Sequence, residues 1–332
     1  MNRIVLDKAV REMVPEIALA DLNISTLAKH FSEEDAAYQL VERMRWPSGP
    51  ICPHCGVVGN AYYLAPKDGT RTTSTGKATF RRVWKCGDCR QQFSVLVGTI
   101  FEDSKVPLSK WLLAVHMMQA GKNGVAALEL QRTLGVSYKT AWFMAHRIRY
   151  AMAQHPLVDM LSGIVEADET YIGGVEKGKR GRPGKDSKKT PVVSLVERGG
   201  NVRSKVVTDV SGATLKEVLD TNINPDARLM TDSFVAYREP GKAFASHETV
   251  DHGKGEYVRG DAHTNTVEGF YSQLKRSIDG THHSVSEKHL PRYLGEFDYR
   301  YNTRKMKDGE RTEQTIQQTA GKRLRYREPV KP

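Results

Sequence analysis

Cysteine is scarce in this chain: there are four among 332 residues, and none stands outside a Cys-x-x-Cys pair. No cysteine is left over for a disulfide framework, which excludes the small, disulfide-stapled secreted class. Long apolar runs are also missing. No stretch approaches the length of a membrane span, and the start MNRIVLDKAVREMVPEI lacks the apolar core of a secretory signal. The expectation is a cytoplasmic protein with no membrane partner. Acidic residues are in deficit, 39 against 50 Lys plus Arg, for a net charge of +11. A surplus of that size points to a polyanionic partner, nucleic acid above all, and to a nucleoid-associated location in a bacterium. No internal repeat is present.

Five segments follow from pattern. Residues 1–45 read as short helices, with Ser32 and Asp35 at the capping-box offset ahead of AAYQLVERMRW. Residues 46–100 are turn-rich and carry the cysteines. Between the pairs, KDGTRTTSTGKATF suggests a hairpin or mobile loop. Residues 105–155 are helical: Pro107 opens a stretch in which Trp111, Leu112, Val115 and Met118 recur at helical spacing. Residues 160–303 switch to short β-type runs, GIVEAD, TPVVSLVER, VRSKVVTDV and ARLMTD, with the helical ATLKEVLDTNI between the third and fourth. Three strands, a helix, a strand and further helix predict an α/β domain with a mixed sheet. Residues 304–332 read as a basic, loosely packed tail.

Cys52-Pro-His-Cys55 and Cys86-Gly-Asp-Cys89 are two knuckles separated by 30 residues. Each presents two thiolates from a tight turn, and together they complete a tetrahedral cage for one structural Zn²⁺. Four thiolates leave no open coordination position, so the zinc is not catalytic, and His54 is read as a spectator. With aromatic neighbours Trp84 and Phe93, the pattern is that of a zinc ribbon, whose small core depends on its metal.

The segment AALELQRTLGVSYKTAWFMAHRIRYAM predicts a helix, a turn at Gly135 and a second helix capped by Ser137. Leu130, Leu134 and Val136 form the inner corner of this helix-turn-helix. Tyr138, Lys139 and Thr140 then fall at the exposed start of the second helix, where bases or phosphates of double-stranded DNA would meet them. Arg147 and Arg149 are expected to add charge toward the backbone. A second basic stretch, EKGKRGRPGKDSKK, offers Lys179, Arg180 and Arg182 for sequence-independent, salt-sensitive contacts.

Three acids carry the chemical signal. Asp168 in IVEADETYIGG and Asp232 in ARLMTDSFVAY end short apolar runs, while Glu268 in HTNTVEGFYSQLKR lies on a segment of helical period. Carboxylates from two adjacent strands and a facing helix can converge on Mg²⁺ or Mn²⁺ and leave positions for substrate phosphates. Glu169 and Asp209 are competing acids, ranked below these three. Lys275 lies two turns from Glu268 on the same helix, about 10.5 Å along the axis, within reach of a phosphate in the same groove. Arg276 adjoins it.

These blocks resemble the catalytic blocks of the DDE transposases, more narrowly the bacterial insertion-sequence group with an N-terminal zinc ribbon. VGTIFEDSKVPLSKWLLAVHMM, after the second knuckle, is similar to the junction in that group. The resemblance spans roughly residues 35–305. It implies a ribonuclease-H-like fold, two divalent cations held by Asp168, Asp232 and a third residue, and DNA contact by Lys275. Some members of the group have Asn in the third position, and here Asn265 and Glu268 are both available. Glu268 is preferred because an anionic ligand binds Mg²⁺ better than an amide does; Asn265 is retained beside it, and His263 is a possible aid to DNA positioning.

The expected activity is cleavage at the ends of a transposable element, followed by transfer of the freed 3′-OH to target DNA by transesterification. Pairing two ends calls for a homo-oligomer on DNA. Two readings compete: a metal-dependent nuclease without strand transfer, and a non-enzymatic DNA-binding regulator.

Overall fold

The computed structural model describes residues 18–66, 71–72, 76, 78–79, 81–153, 159–174, 187 and 189–325. The chain forms two compact units. One takes the residues up to Gly121, Ala127–Ala151 and the chain from Met306; the other takes Lys122–Ala126 and Met152–Lys305.

The first unit begins with helices α1 (Ile24–His30) and α2 (Glu34–Arg45). The predicted Ser32–Asp35 capping box does not form: Glu33 is the N-cap residue of α2 and makes no side-chain cap bond. Nearby acids are used across the fold instead. The Glu34 carboxylate accepts the amides of Leu108 and Ser109 at 2.6 and 3.2 Å, capping the helix that Pro107 opens, α3 (Leu108–Ala120). Trp111, Leu112, Val115 and Met118, the predicted stripe of α3, are all buried.

The cysteine segment holds a three-stranded antiparallel sheet of β1 (Ala61–Tyr63), β4 (Trp84–Cys86) and β5 (Gln92–Phe93), in the order β1-β4-β5. A separate antiparallel pair, β2 (Arg71–Thr72) with β3 (Ala78–Thr79), makes the inter-knuckle hairpin. Buried Glu42 of α2 ties the ribbon down, accepting Trp84 Nε1 at 2.8 Å and Arg82 Nε at 3.0 Å.

Helices α4 (Ala127–Leu134) and α5 (Tyr138–Met152) follow. Gly135 sits between them at φ 60°, a left-handed conformation that suits glycine. Ser137 Oγ accepts the Thr140 amide at 3.2 Å, the cap expected from sequence.

The tail departs from expectation. Asp308–Gln317 is a helix packed on α3 and α2, with Thr312, Thr315 and Ile316 buried. Polar rungs fasten it: Thr312 Oγ1 lies 3.0 Å from His116 Nδ1, and Gln119 Nε2 donates to Thr315 Oγ1 at 2.8 Å. A polar sequence concealed this because its inward face is largely threonine, whose hydroxyls are satisfied by partners on α3.

The second unit is built on five strands, β6 (Ile164–Ile172), β7 (Thr190–Glu197), β8 (Val202–Val206), β9 (Arg228–Asp232) and β10 (Ser246–Val250), in the order β10-β9-β6-β7-β8. β7 is antiparallel to β6 and β8, whereas β6, β9 and β10 run parallel. Counted along the chain this is order 3-2-1-4-5 with the second strand reversed, the ribonuclease-H-like arrangement. Four strands match the sequence reading. β10, with the sequence SHETV at the sheet edge, lacks the apolar run that marks the others.

Helix α6 (Gly212–Asn222) covers one face, burying Leu215, Val218 and Leu219 against Val165, Ala167, Val193 and Leu195. Helices α7 (Asn265–Ser277) and α8 (Leu290–Asn302) cover the other, burying Val267, Phe270, Tyr271, Leu274, Leu294 and Phe297 against Ile172, Val192, Val196 and Val202.

Buried Asp298 of α8 accepts both the amide and the hydroxyl of Ser204 on β8 at 2.7 Å. Burial nevertheless pushes its carboxyl up to about 7 from the ordinary 3.8. Because the folded value is raised, the neutral acid stabilises the fold, and that contribution fades as pH climbs from about 4 to about 7. Asp298→Asn never ionises and keeps an acceptor for Ser204. It should melt higher than the parent at about pH 8, with the advantage shrinking or vanishing at about pH 5; thermal melts across that range check it.

Candidate active site and metal centres

In the ribbon, Cys52 Sγ lies 3.6 Å from Cys89 Sγ and Cys55 Sγ lies 3.6 Å from Cys86 Sγ, with all four sulfurs within 4.8 Å of one another. A tetrahedron with Zn–S bonds of about 2.3 Å has edges of roughly 3.8 Å, so the four thiols fit that ion. His54 Nε2 is turned to the Gln92 carbonyl at 3.3 Å and stands outside the set.

The second cluster lies where β6 and β9 part. Their parallel register pairs Ile164 with Arg228, Val165 with Leu229 and Glu166 with Met230. Two residues further on each strand come Asp168 and Asp232, brought side by side as the sequence predicts. Asp168, Glu169 and Asp232 each present a carboxylate oxygen within 4.8 Å of the others. All three are partly exposed, so solvent and a ligand can reach them.

Local hydrogen bonds orient each acid. Asp168 Oδ1 accepts the Glu169 amide at 2.8 Å, Asp232 Oδ1 accepts the Phe234 amide at 3.0 Å, and Glu169 Oε2 accepts the Tyr237 hydroxyl at 3.0 Å. From the face covered by α7, buried Tyr271 donates its hydroxyl to the Asp168 carbonyl at 2.6 Å and accepts the Ser194 amide at 2.9 Å. Asp168 and Ser194 are cross-strand partners, so this phenol holds two strands at the acidic position. Burial, followed by the charge of Asp168, pushes its ionisation well above the ordinary tyrosine value. It remains a neutral donor. Hard oxygen ligands grouped in this way fit Mg²⁺ or Mn²⁺.

Glu169, placed below Asp168, Asp232 and Glu268 by sequence, lies within the cluster. Neighbours on a strand point to opposite faces, and β6 stays paired with β7 at both acids; its pairing with β9 ends at Glu166–Met230, so no paired strand stands between the carboxylates on that side. Asp209 takes no part. It orders the turn before α6, where hydrogen bonds from Ser211 hold its carboxyl down at about 2.

Glu268 is not in the cluster. It is exposed on the first turn of α7, accepts the Thr264 hydroxyl at 2.9 Å and lies 3.3 Å from His252 Nε2. Asn265, the first residue of α7, is exposed, as are Lys275 and Arg276 in its last turn.

In the helix-turn-helix, Tyr138 and Lys139 are exposed and Thr140 is half-buried. Arg147 and Arg149 are a correction, for both are buried. The Arg147 guanidinium donates to the carbonyls of Ile100, Glu102 and Leu324, so it is a structural clamp with no phosphate to reach. On an amphipathic helix such a residue has the same sequence signature as a surface arginine. Lys179, Arg180 and Arg182 lie outside the described residues. Among the described residues, no helix is long and apolar enough to cross a membrane.

Comparison with known proteins settles the family. Residues 160–302 match the ISXO2-like transposase domain and residues 32–92 the transposase zinc-ribbon domain. An uncharacterised protein in transposable element ISH50 of Halobacterium salinarum is 31% identical over 309 residues, covering 88% of this chain and 98% of that protein. The chain belongs to the ISXO2-like transposase family. A transposase-like protein of Haemophilus influenzae is 26% identical to the ISXO2-like chain over 106 residues, 32% of this chain and 85% of that one. Solved structures give looser matches. A pre-cleavage Mos1 transpososome overlays with TM-score 0.24 and 15% identity, over 62% of this chain and 76% of that one. A Mos1 paired-end complex with Mg gives 0.25 and 14%, over 60% and 75%. Overlays this loose place no residue.

Proposed function

We infer that this chain is a DDE-type transposase acting by metal-dependent phosphoryl transfer: it cleaves DNA at the ends of its element and joins the freed 3′-OH to target DNA. The observation that carries this reading is the group Asp168, Glu169 and Asp232, oriented by hydrogen bonds where β6 and β9 part in a transposase-family domain. Asp168 and Asp232 would hold two divalent cations, with Glu169 beside them and Glu268 or Asn265 closing the site from α7. When bound, such a pair lowers the pKa of the attacking water and stabilises the departing 3′ oxygen. Lys275 and Arg276 would meet phosphates along the groove. One phosphodiester replaces another, so no external energy source is needed.

The remaining assignments belong to the same proposal. Four cysteines hold one structural Zn²⁺. Tyr138, Lys139 and Thr140 contact double-stranded DNA, as do Lys179, Arg180 and Arg182 in the basic loop. Two copies at least act on paired ends. A cytoplasmic, nucleoid-associated location follows from a DNA substrate.

The test is a strand-transfer assay with the purified chain, labelled end DNA of its own element and target plasmid. Nicked and joined products should form with Mg²⁺ or Mn²⁺ and disappear with EDTA. Cleavage without joined products would favour a nuclease, and no cleavage with either ion would sink the enzymatic reading.

A further inference from the structure

Two residues before Asp168, on the same face of β6, stands an acid with a different environment. Glu166 has a relative exposure of 0% in the middle of the sheet, a position where a buried strand ordinarily carries an apolar side chain. Its Oε2 accepts the amides of Thr266 and Val267 at 2.7 and 3.0 Å. Its Oε1 accepts Arg198 Nε at 2.6 Å and the Thr266 hydroxyl at 2.8 Å, and lies 3.2 Å from His263 Nδ1. Thr266 and Val267 are the second and third residues of α7, the two whose orphan amides an N-cap side chain ordinarily satisfies.

The helix has no such cap of its own. Thr264, its N-cap residue, makes no side-chain cap bond and turns its hydroxyl to Glu268. A carboxylate from the sheet does that work, reinforced by its charge at the positive end of the helix. The same ion pair reaches the preceding loop: Arg198 donates to the carbonyls of Asp261 and His263 at 2.8 and 3.0 Å. One buried group thus fixes both the entry to α7 and its first turn, where Asn265 and Glu268 lie, against the strand that carries Asp168.

We propose that Glu166 is a positioning residue: by capping α7 it sets the distance between the Asp168 cluster and the side chains at the start of that helix, and so governs divalent-cation affinity without touching the ion. The inference rests on the metal-dependent reading above. Outer-shell partners of metal ligands change affinity by about 10- to 100-fold, and Glu166 acts one step further out, through a whole helix turn. Its effect belongs at the low end of that range.

The test uses the full chain carrying Glu166→Gln, with Thr266→Val as a milder companion that removes only the hydroxyl bond to Glu166. Hydrogen exchange at the Thr266 and Val267 amides reads the cap directly. Mn²⁺ affinity, measured without DNA by electron paramagnetic resonance of the free ion, reads the site. Glu166→Gln should speed exchange at both amides and weaken Mn²⁺ binding by about tenfold, and Thr266→Val should do both to a smaller degree. Cleavage should need more Mn²⁺ for half-maximal rate yet recover at saturation, which a fold that is merely destabilised would not do. Faster exchange with Mn²⁺ affinity and half-saturation unchanged within about twofold would reduce Glu166 to a stability role and overturn the proposal. Should Glu166→Gln fail to fold, an unshifted Thr266→Val overturns it equally. If the parent protein binds no Mn²⁺, the metal-dependent reading itself falls, an outcome distinct from failure of the cap alone.

Discussion

Asp168→Asn and Asp232→Asn, made singly, should each lower strand cleavage by more than the roughly 100-fold upper range for an outer-shell partner, with DNA-end binding changed less than about twofold. The substitutions are isosteric and keep the oxygens that accept the Glu169 and Phe234 amides, so the local backbone should hold. What they remove is charge from a group of three acids within 4.8 Å. Without metal those charges repel one another and cost stability. The asparagine variants should therefore melt no lower than the parent in EDTA. With Mn²⁺ the order reverses: a ligand that binds only the folded state raises stability by mass action, so the parent should gain several degrees and the variants little. Thermal melts with and without Mn²⁺, run beside a cleavage assay, check both halves. Undiminished cutting by either variant would remove that residue from the site.

Cys86→Ser is expected to produce the largest structural loss. Cys86 is buried on β4, and structural zinc contributes on the order of 10 kcal/mol to domains of this size. The three ribbon strands have two or three residues each, too few to persist alone. Zinc content should fall from one atom per chain to near zero. The Trp84 indole, packed edge-on against Trp46 at 6.1 Å and donating to Glu42, should become wet, shifting tryptophan emission to the red. Release of Trp84 and Arg82 would leave the Glu42 carboxylate buried without partners, so damage should extend into α2. Binding to end DNA is expected to weaken with the ribbon. Full zinc content in the variant would rule out the four-cysteine cage.

The sequence made some of this visible for physical reasons. Apolar runs buried on both faces mark β6, β7 and β9 in the sequence, and the ends of two of these runs are enough to bring Asp168 and Asp232 together. The Cys-x-x-Cys spacing was legible because tetrahedral thiolate cages restrict how far apart ligands can be. Other features depended on tertiary contacts that no local pattern encodes. β10 is a polar edge strand, and the C-terminal helix hides its contact face behind threonines. Arg147 reads as a surface charge until Ile100, Glu102 and Leu324 supply carbonyls around it. Glu169 and Glu166 were obscured by their own strand: one joins the acidic group only because β6 and β9 diverge, and the other looks like an ordinary polar residue until α7 brings two bare amides to it.

The threonine-faced helix at Asp308–Gln317 has a consequence for how the molecule is made. Its docking face on α3 is translated some two hundred residues earlier, so the ribosome releases most of the first unit before this helix exists. Until then His116 and Gln119 lack their rungs. A nascent chain stopped before Asp308 would carry the complete five-stranded sheet of the second unit, together with a first unit still missing one of its helices.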